Sequence, residues 1–366
     1  MQFEISPIQL VTICAVINGF VFAFLLFEKK ENRRANRFLS LMIFSMCLTF
    51  TPYMLDPSIW NKFRWLAWMP FSLSYWIGPA FYFYVRTLTH PSRPLTKKWL
   101  WHFSPIVLNY LHSTYHAYVK DSNPWPWFHH FAEILEYVAI LSILTYMIVS
   151  YRAIAKYQKS LLDSVSNTDQ IDLLWIRRLI LIIIASFGVI LILLVISRGH
   201  FGMDTFHQWD FYRSIVLLIY AAILYWVSIS GFQQAQTLNL AIEENPQGAK
   251  DGNELSIVVT RLQECIADGF LYRNPELSLT DLSKFSGISQ RAISDAIHQE
   301  LGKNYYQFIN EYRVEEMKMK LLDNSLNHFK IFSLAIDSGF NSKASFNRVF
   351  KTYTGHTPKE FKSQNS

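Results

Sequence analysis

The sequence predicts an all-α protein in two parts: a seven-helix transmembrane bundle, then an all-helical carboxyl-terminal unit with two helix-turn-helix pairs. Three observations predict it. Uncharged apolar runs recur through residues 1–232, and about 20 apolar residues at 1.5 Å rise each cross a bilayer's hydrocarbon. A mixed-charge segment replaces those runs beyond residue 232. Within that segment a serine-capped helix follows a glycine turn twice.

Composition agrees. Of 366 residues, 51% are hydrophobic and 17% charged, against roughly 25% charged in soluble proteins. The length suits two or three domains, here 1–232 for the spans, 233–254 for a linker and 255–366 for the soluble unit. The net charge of +6 is spread largely over short loops between apolar runs. It therefore says little about nucleic acid. The three cysteines, Cys14, Cys47 and Cys265, have neither zinc-site nor disulfide-framework spacing, and are expected to pack in cores.

The first span is Pro7 to Phe27. No basic residue precedes it, and it is too long for the apolar part of a cleavable signal. The others fall at Phe38 to Leu55, Leu66 to Val85, Trp99 to Tyr118, Ile134 to Tyr151, Leu179 to Ile196 and Ser214 to Phe232. Pro52, Pro70, Pro79 and Pro105 sit in or at the ends of spans and predict local breaks.

Loop charge sets orientation, because Lys and Arg concentrate on the cytoplasmic side. The first loop holds Lys29, Lys30, Arg33, Arg34 and Arg37. The third holds Arg86, Arg93, Lys97 and Lys98, and the fifth Arg152, Lys156, Lys159, Arg177 and Arg178. The second, fourth and sixth hold only Lys62 and Arg64, then Lys120, then Arg198 and Arg213. The balance of 14 against 5 puts the amino terminus outside and the carboxyl terminus in the cytoplasm. Tyr115, Tyr118, Trp125 and Trp127 suit the outer interfacial belt.

The soluble unit starts with a helix over Ser256 to Phe270, with Ile257, Leu262 and Ile266 on its apolar stripe. Ser278 caps the next helix, with Asp281 three residues on. Gly287 permits a left-handed turn, and Ser289 caps a helix running to about Leu301. A long connector follows from about Tyr305 to Leu322, carrying Arg313, Glu315, Glu316, Lys318 and Lys320. The pattern then repeats: Ile331 to Ser338, the turn at Gly339, and a helix from its cap Ser342 to about Tyr353.

The run Gly339-Phe340-Asn341-Ser342, then Phe346-Asn347-Arg348-Val349-Phe350-Lys351, then Gly355-His356-Thr357-Pro358 resembles the second helix-turn-helix of AraC/XylS-type transcription regulators. Asn310-Glu311-Tyr312-Arg313-Val314 resembles that family's connecting helix. The likeness covers roughly the last 110 residues; the spans resemble membrane-anchored relatives in hydropathy alone. It implies sequence-specific promoter binding by a regulator that stays in the bacterial inner membrane.

Recognition helices present outward residues to base edges. In the first pair these are Gln290, Arg291, Ser294, Asp295 and His298, with Ile293 and Ile297 inward. In the second they are Ser342, Lys343, Ala344, Asn347, Arg348 and Lys351, with Phe346 and Phe350 inward. The second pair is basic: Lys343, Arg348, Lys351, Lys359 and Lys362 face only Glu360 between 338 and 362. The first sets Arg291 against Asp295 and Glu300. Members of the family that the chain resembles often carry a basic residue where Asp295 stands. Asp295 either repels phosphate or accepts from a cytosine amino group.

Six of eleven histidines lie toward the outer face. His112 and His116 share a helix face, and His129 and His130 precede Glu133 and Glu136. Glu136 is the one carboxylate well inside an apolar run. Three readings stay open: a divalent-metal site, a group titrating near neutral pH, or interfacial polar residues with Glu136 hydrogen-bonded inside the bundle.

No phosphate-cradling loop, Cys/His nucleophile pair, kinase-like segment or receiver-like strand pattern occurs, so the chain is not expected to be an enzyme or to need a cofactor. The implied partners are double-stranded promoter DNA, the lipid bilayer, a second copy of the chain, and a small ligand, ion or membrane protein. The rival class is a membrane transporter or enzyme with an autoregulatory DNA-binding tail. That rival needs polar residues along several spans, which most spans lack. A third reading is a pure membrane anchor without sensing.

Overall fold

The computed structural model describes residues 7–54, 63, 73–91, 93–107, 110, 127–168, 171–200, 206–234 and 252–365. Among them all regular structure is helical apart from one isolated antiparallel bridge, Val165 with Ser278. The all-α expectation holds. The chain divides into two compact units. One comprises 1–155 and 173–239; the other comprises 156–172 and 240–366.

The first unit contains α1 (Pro7–Glu28), α2 (Arg33–Phe50), α3 (Ser74–Thr89), most of α4 (Trp127–Leu162), α5 (Leu174–His200) and α6 (Phe206–Gln233). Three described segments are long and apolar enough to cross a membrane: Pro7–Glu28, Tyr137–Leu162 and Ser214–Gln233. Their outward residues are large and apolar, among them Ile17 and Phe24 on α1 and Leu141 on α4. A helix apolar all round needs a nonaqueous surround. α1 packs on α2 and α6, and α2 on α3.

The expected seven spans map unevenly onto these helices. The second and third begin or end within shorter helices: α2 stops at Phe50 before a 3-10 turn Thr51–Met54 that holds Pro52, and α3 begins at Ser74 with Pro79 inside it. The fourth starts in a 3-10 helix, Lys97–Phe103, and most of its remainder lies outside the described residues, as does Pro70. The fifth sits inside a longer α4, whose last turns carry Arg152, Lys156 and Lys159. Of the cysteines, Cys47 is buried, Cys265 half-buried and Cys14 exposed. Cys14 therefore is not core packing.

The second unit contains α7 (Gly252–Asp268), α8 (Leu279–Ser286), α9 (Gln290–Leu301), α10 (Tyr305–Leu322), α11 (Ile331–Asp337), α12 (Lys343–Thr354) and α13 (Pro358–Asn365). The stripe of α7 is Leu255, Val259, Leu262 and Ile266, all buried, at helical spacing. Ile257 was expected on it and is 67% exposed, because it falls on the opposite side of the turn.

Of three apolar clusters among the described residues of this unit, the smallest joins Leu255 and Val259 to Ala296, and α10 serves the two larger ones. Its Tyr305, Phe308 and Ile309 join Leu262, Ile266, Leu282, Ile293 and Ile297. Its Val314, Met317 and Leu321 join Leu334, Phe340, Phe346 and Phe350. One continuous helix therefore fixes both helix pairs.

Candidate nucleic-acid interface

The first pair is set by local chemistry. Ser278 Oγ accepts from the Asp281 N–H at 3.2 Å, and Asp281 accepts from the Ser278 N–H at 3.2 Å, a complete capping box. Gly287 ends α8 at φ 68°. Ser289 Oγ then accepts from the Ala292 N–H at 3.3 Å and starts α9. Ala292, Ile293, Ala296 and Ile297 are buried. Gln290, Arg291 and His298 are exposed, and Ser294 and Asp295 half-buried.

The second pair repeats this on a firmer footing. Gly339 turns at φ 92°, and Ser342 Oγ accepts from the Ser345 N–H at 3.0 Å to start α12. Phe346, Val349 and Phe350 are buried. Lys343, Ala344, Asn347, Arg348 and Lys351 are exposed and Ser342 half-buried. All eleven outward candidates thus lie on two helix faces, or at the cap of one, that keep at least part of each side chain in solvent. The Tyr353 hydroxyl donates to the Gln307 carbonyl at 2.7 Å, tying α12 back to the start of α10.

The faces differ in charge. On α9, Arg291 pairs with Asp295 at 3.7 Å, and His298 Nε2 lies 3.0 Å from Asp163 Oδ1. The sequence of α12 holds Lys343, Arg348 and Lys351 and no acid.

Two charged residues of the connector are not on its surface. Arg313 is 1% exposed. Its Nε donates to the Tyr272 carbonyl at 2.7 Å. Nη1 donates to the Ser166 carbonyl at 3.1 Å and Asn310 Oδ1 at 3.2 Å, and Nη2 to Ser166 Oγ at 2.9 Å and the Asn274 carbonyl at 2.8 Å. These acceptors are all neutral. Burial pushes the guanidinium down to about 10, partly offset by Tyr305 and Tyr306, so it stays charged at neutral pH. Glu316 is also buried, bridging Arg273 at 3.0 Å and Lys320 at 2.6 Å. Burial alone would raise its carboxyl. Hydrogen bonds from Arg273, Lys320 and Tyr272 together outweigh that and hold it below the ordinary carboxylate value. Lys320 also donates to Ser338 Oγ at 3.0 Å, which ties the network to the second turn.

Gly339 does more than turn the chain. A Cβ there would collide with the Tyr272 carbonyl and come within 2.9 Å of Arg273 Cα and Arg313 Nε. Sequence reasoning found the φ requirement and missed this packing. It also missed Ser166 and Asp163, since nothing in a short polar stretch after α4 signals a docking element.

Of the outer-face candidates, His129, His130, Glu133 and Glu136 fall in the first turns of α4, and their side chains lie outside the described residues. His112 and His116 lie outside them altogether. Among the described residues no group of three or more His, Cys, Asp or Glu is placed to hold a metal.

Residues 282–364 match the family described as a helix-turn-helix domain. Similar proteins include uncharacterized HTH-type transcriptional regulators of Staphylococcus aureus strains COL, MSSA476 and MRSA252, each 36% identical over 92 residues. That stretch is 25% of this chain and 12% of each relative, so the likeness concerns the carboxyl-terminal domain alone. No solved structure matches. The capped helices, glycine turns and shared connector, with this match, place an AraC-type helix-turn-helix domain at the carboxyl-terminal end of the chain.

Proposed function

We propose that the chain is a membrane-embedded one-component transcription regulator that binds promoter DNA through α9 and α12. The observation that carries it is the pair of serine-capped helices held by one connector, each with polar or basic residues outward. Two recognition helices fixed on one rigid element suit successive major-groove turns, about 34 Å apart. The basic face of α12 supplies most of the phosphate attraction. Its relatives are named as HTH-type transcriptional regulators, which fits.

The apolar segments hold this reader at the inner leaflet of a bacterial inner membrane. The apolar runs support seven spans, and loop charge supports an outer amino terminus and a cytoplasmic DNA reader. The outer ends of the spans, with His112, His116, His129, His130, Glu133 and Glu136, are where a ligand or ion would be sensed, and a second copy of the chain is the natural partner on a two-fold promoter site.

The test is DNA binding by the full chain in lipid nanodiscs across salt concentrations. Binding of the region upstream of its own gene, with affinity falling as salt rises, is expected. No binding, or binding without a salt slope, sinks the reading. A reporter fused after Ser366 should be active only in the cytoplasm.

A further inference from the structure

The segment joining α4 to α5 is built into the DNA-reading unit. The Leu279 N–H donates to the Ser164 carbonyl at 2.9 Å, and the Ser166 N–H to the Leu277 carbonyl at 3.3 Å, which forms the Val165–Ser278 bridge. Ser166 Oγ donates to the Leu277 carbonyl at 2.8 Å, and Asn310 Nδ2 donates to the Ser166 carbonyl at 3.0 Å. Val165, Ser166 and Thr168 are buried. Ser166 alone supplies two of the five acceptors of the buried Arg313 guanidinium. This is a specific seat, since a buried cation without a carboxylate depends on each neutral acceptor.

The same segment places Asp163 against His298, on the outward face of α9, with both side chains partly exposed. Asp295 already balances Arg291 there. A second carboxylate on that face opposes an approaching phosphate backbone and engages a side chain counted among the reading residues.

We propose that the α4–α5 loop is a latch: Ser166 anchors it on Arg313, Asp163 covers His298, and the docked loop weakens DNA binding by the first helix-turn-helix pair. This rests on the reading of α9 as a DNA-reading helix. The loop is covalently continuous with α4, which carries one of the three segments apolar enough to cross a membrane, and with the apolar α5. A change in those helices therefore has a route to α9 that bypasses the chain between 234 and 252. Withdrawal of the loop removes the carboxylate and frees His298. The vacated Arg313 donors turn to water that enters the opened seat. A ligand drives this only so far as it favours the undocked state over the docked one.

The test compares full-chain variants in nanodiscs on a mixed-sequence duplex and on the region upstream of the gene. Asp163→Asn should raise affinity on both roughly three- to fivefold. Glu276→Gln removes one exposed carboxylate elsewhere on the unit, so it should change affinity less. In a His298→Ala background the gain from Asp163→Asn should shrink, as coupling requires. Ser166→Ala keeps Asp163 but loosens the anchor, and should also raise affinity. If Asp163→Asn leaves affinity unchanged or lower, or gains no more than Glu276→Gln, the latch is wrong. If Ser166→Ala weakens binding, the loop is a scaffold for the reading state and not a latch. A chain that binds DNA, loses affinity with Arg348→Ala and ignores Asp163→Asn overturns the latch alone. A chain that binds neither duplex overturns the DNA-reading assignment and the latch together.

Discussion

The two helix-turn-helix pairs use the same local devices and differ in what surrounds them. Each has a serine cap, a glycine turn and a recognition helix, α9 or α12, with its apolar side buried. The turn at Gly287 has no atom within 4 Å of where a Cβ would stand. The turn at Gly339 is wedged against Tyr272, Arg273 and Arg313. The first recognition face carries two carboxylate contacts, and the second is basic. The difference teaches that one local pattern of cap and glycine can give a turn locked by packing in one pair and an open turn in the other.

The largest expected effect is on the turns. Gly339→Ala must move backbone and also hold alanine at positive φ. It should destabilise the second unit by about 3 kcal/mol or more. Gly287→Ala faces only the left-handed penalty, about 1–2 kcal/mol. Hydrogen exchange of the α10 and α12 amides in the full chain measures both. Equal losses would show that the wedge at Gly339 is not real.

The next effect is on DNA. Arg348→Ala should cost about 1–3 kcal/mol of binding and relax preference at one base pair if its fork reaches a base edge. Arg291→Ala should cost less, because contact with DNA already requires Arg291 to give up Asp295. Titrations of the two variants against one promoter duplex rank them. The reverse ranking would make α9 the anchor and break the comparison.

Much of this was legible from the residues alone. Ser278, Ser289 and Ser342 announced helix starts, and Gly287 and Gly339 announced turns, because caps and left-handed turns are local and depend on few atoms. The outward faces of α9 and α12 followed from helical period. What stayed hidden was long-range. Arg313 reads as a surface charge in a helix that alternates charge, and its burial depends on acceptors from Tyr272, Asn274 and Ser166. The α4–α5 loop carries no pattern that distinguishes a docked segment from a solvated one. Ile257 misled because the apolar stripe of α7 has more apolar candidates than it can bury. The outer-face histidines had no geometry in the sequence beyond shared helix faces.

A smaller effect lies in the connector. Glu316 is ionised more easily in the folded unit than in the unfolded chain. A depressed folded-state value contributes stability that is full above the ordinary carboxylate value, 4.5. It is lost as pH falls below that through the folded value. Protection of α10 and the second turn should therefore weaken in that acid range. Glu316→Gln should reduce this acid sensitivity while lowering stability at neutral pH, because Arg273 and Lys320 lose their shared anion. An unchanged acid profile would remove Glu316 from the coupling between connector and second pair.

The caps provide the one change to which the two pairs should respond alike. Ser289 and Ser342 each satisfy one amide at the start of a recognition helix, at 3.3 and 3.0 Å. Neither bond involves the features that separate the pairs, so Ser289→Ala and Ser342→Ala should each cost about 1 kcal/mol. Frayed first turns should also weaken DNA binding in both, since the first-turn residues face outward. If Ser342→Ala costs clearly less, the wedge at Gly339 must already hold the start of α12 without its cap. If Ser289→Ala costs less, the docked α4–α5 loop is the better candidate for supporting α9. Repeating the measurement in the Ser166→Ala background separates that support from the cap itself.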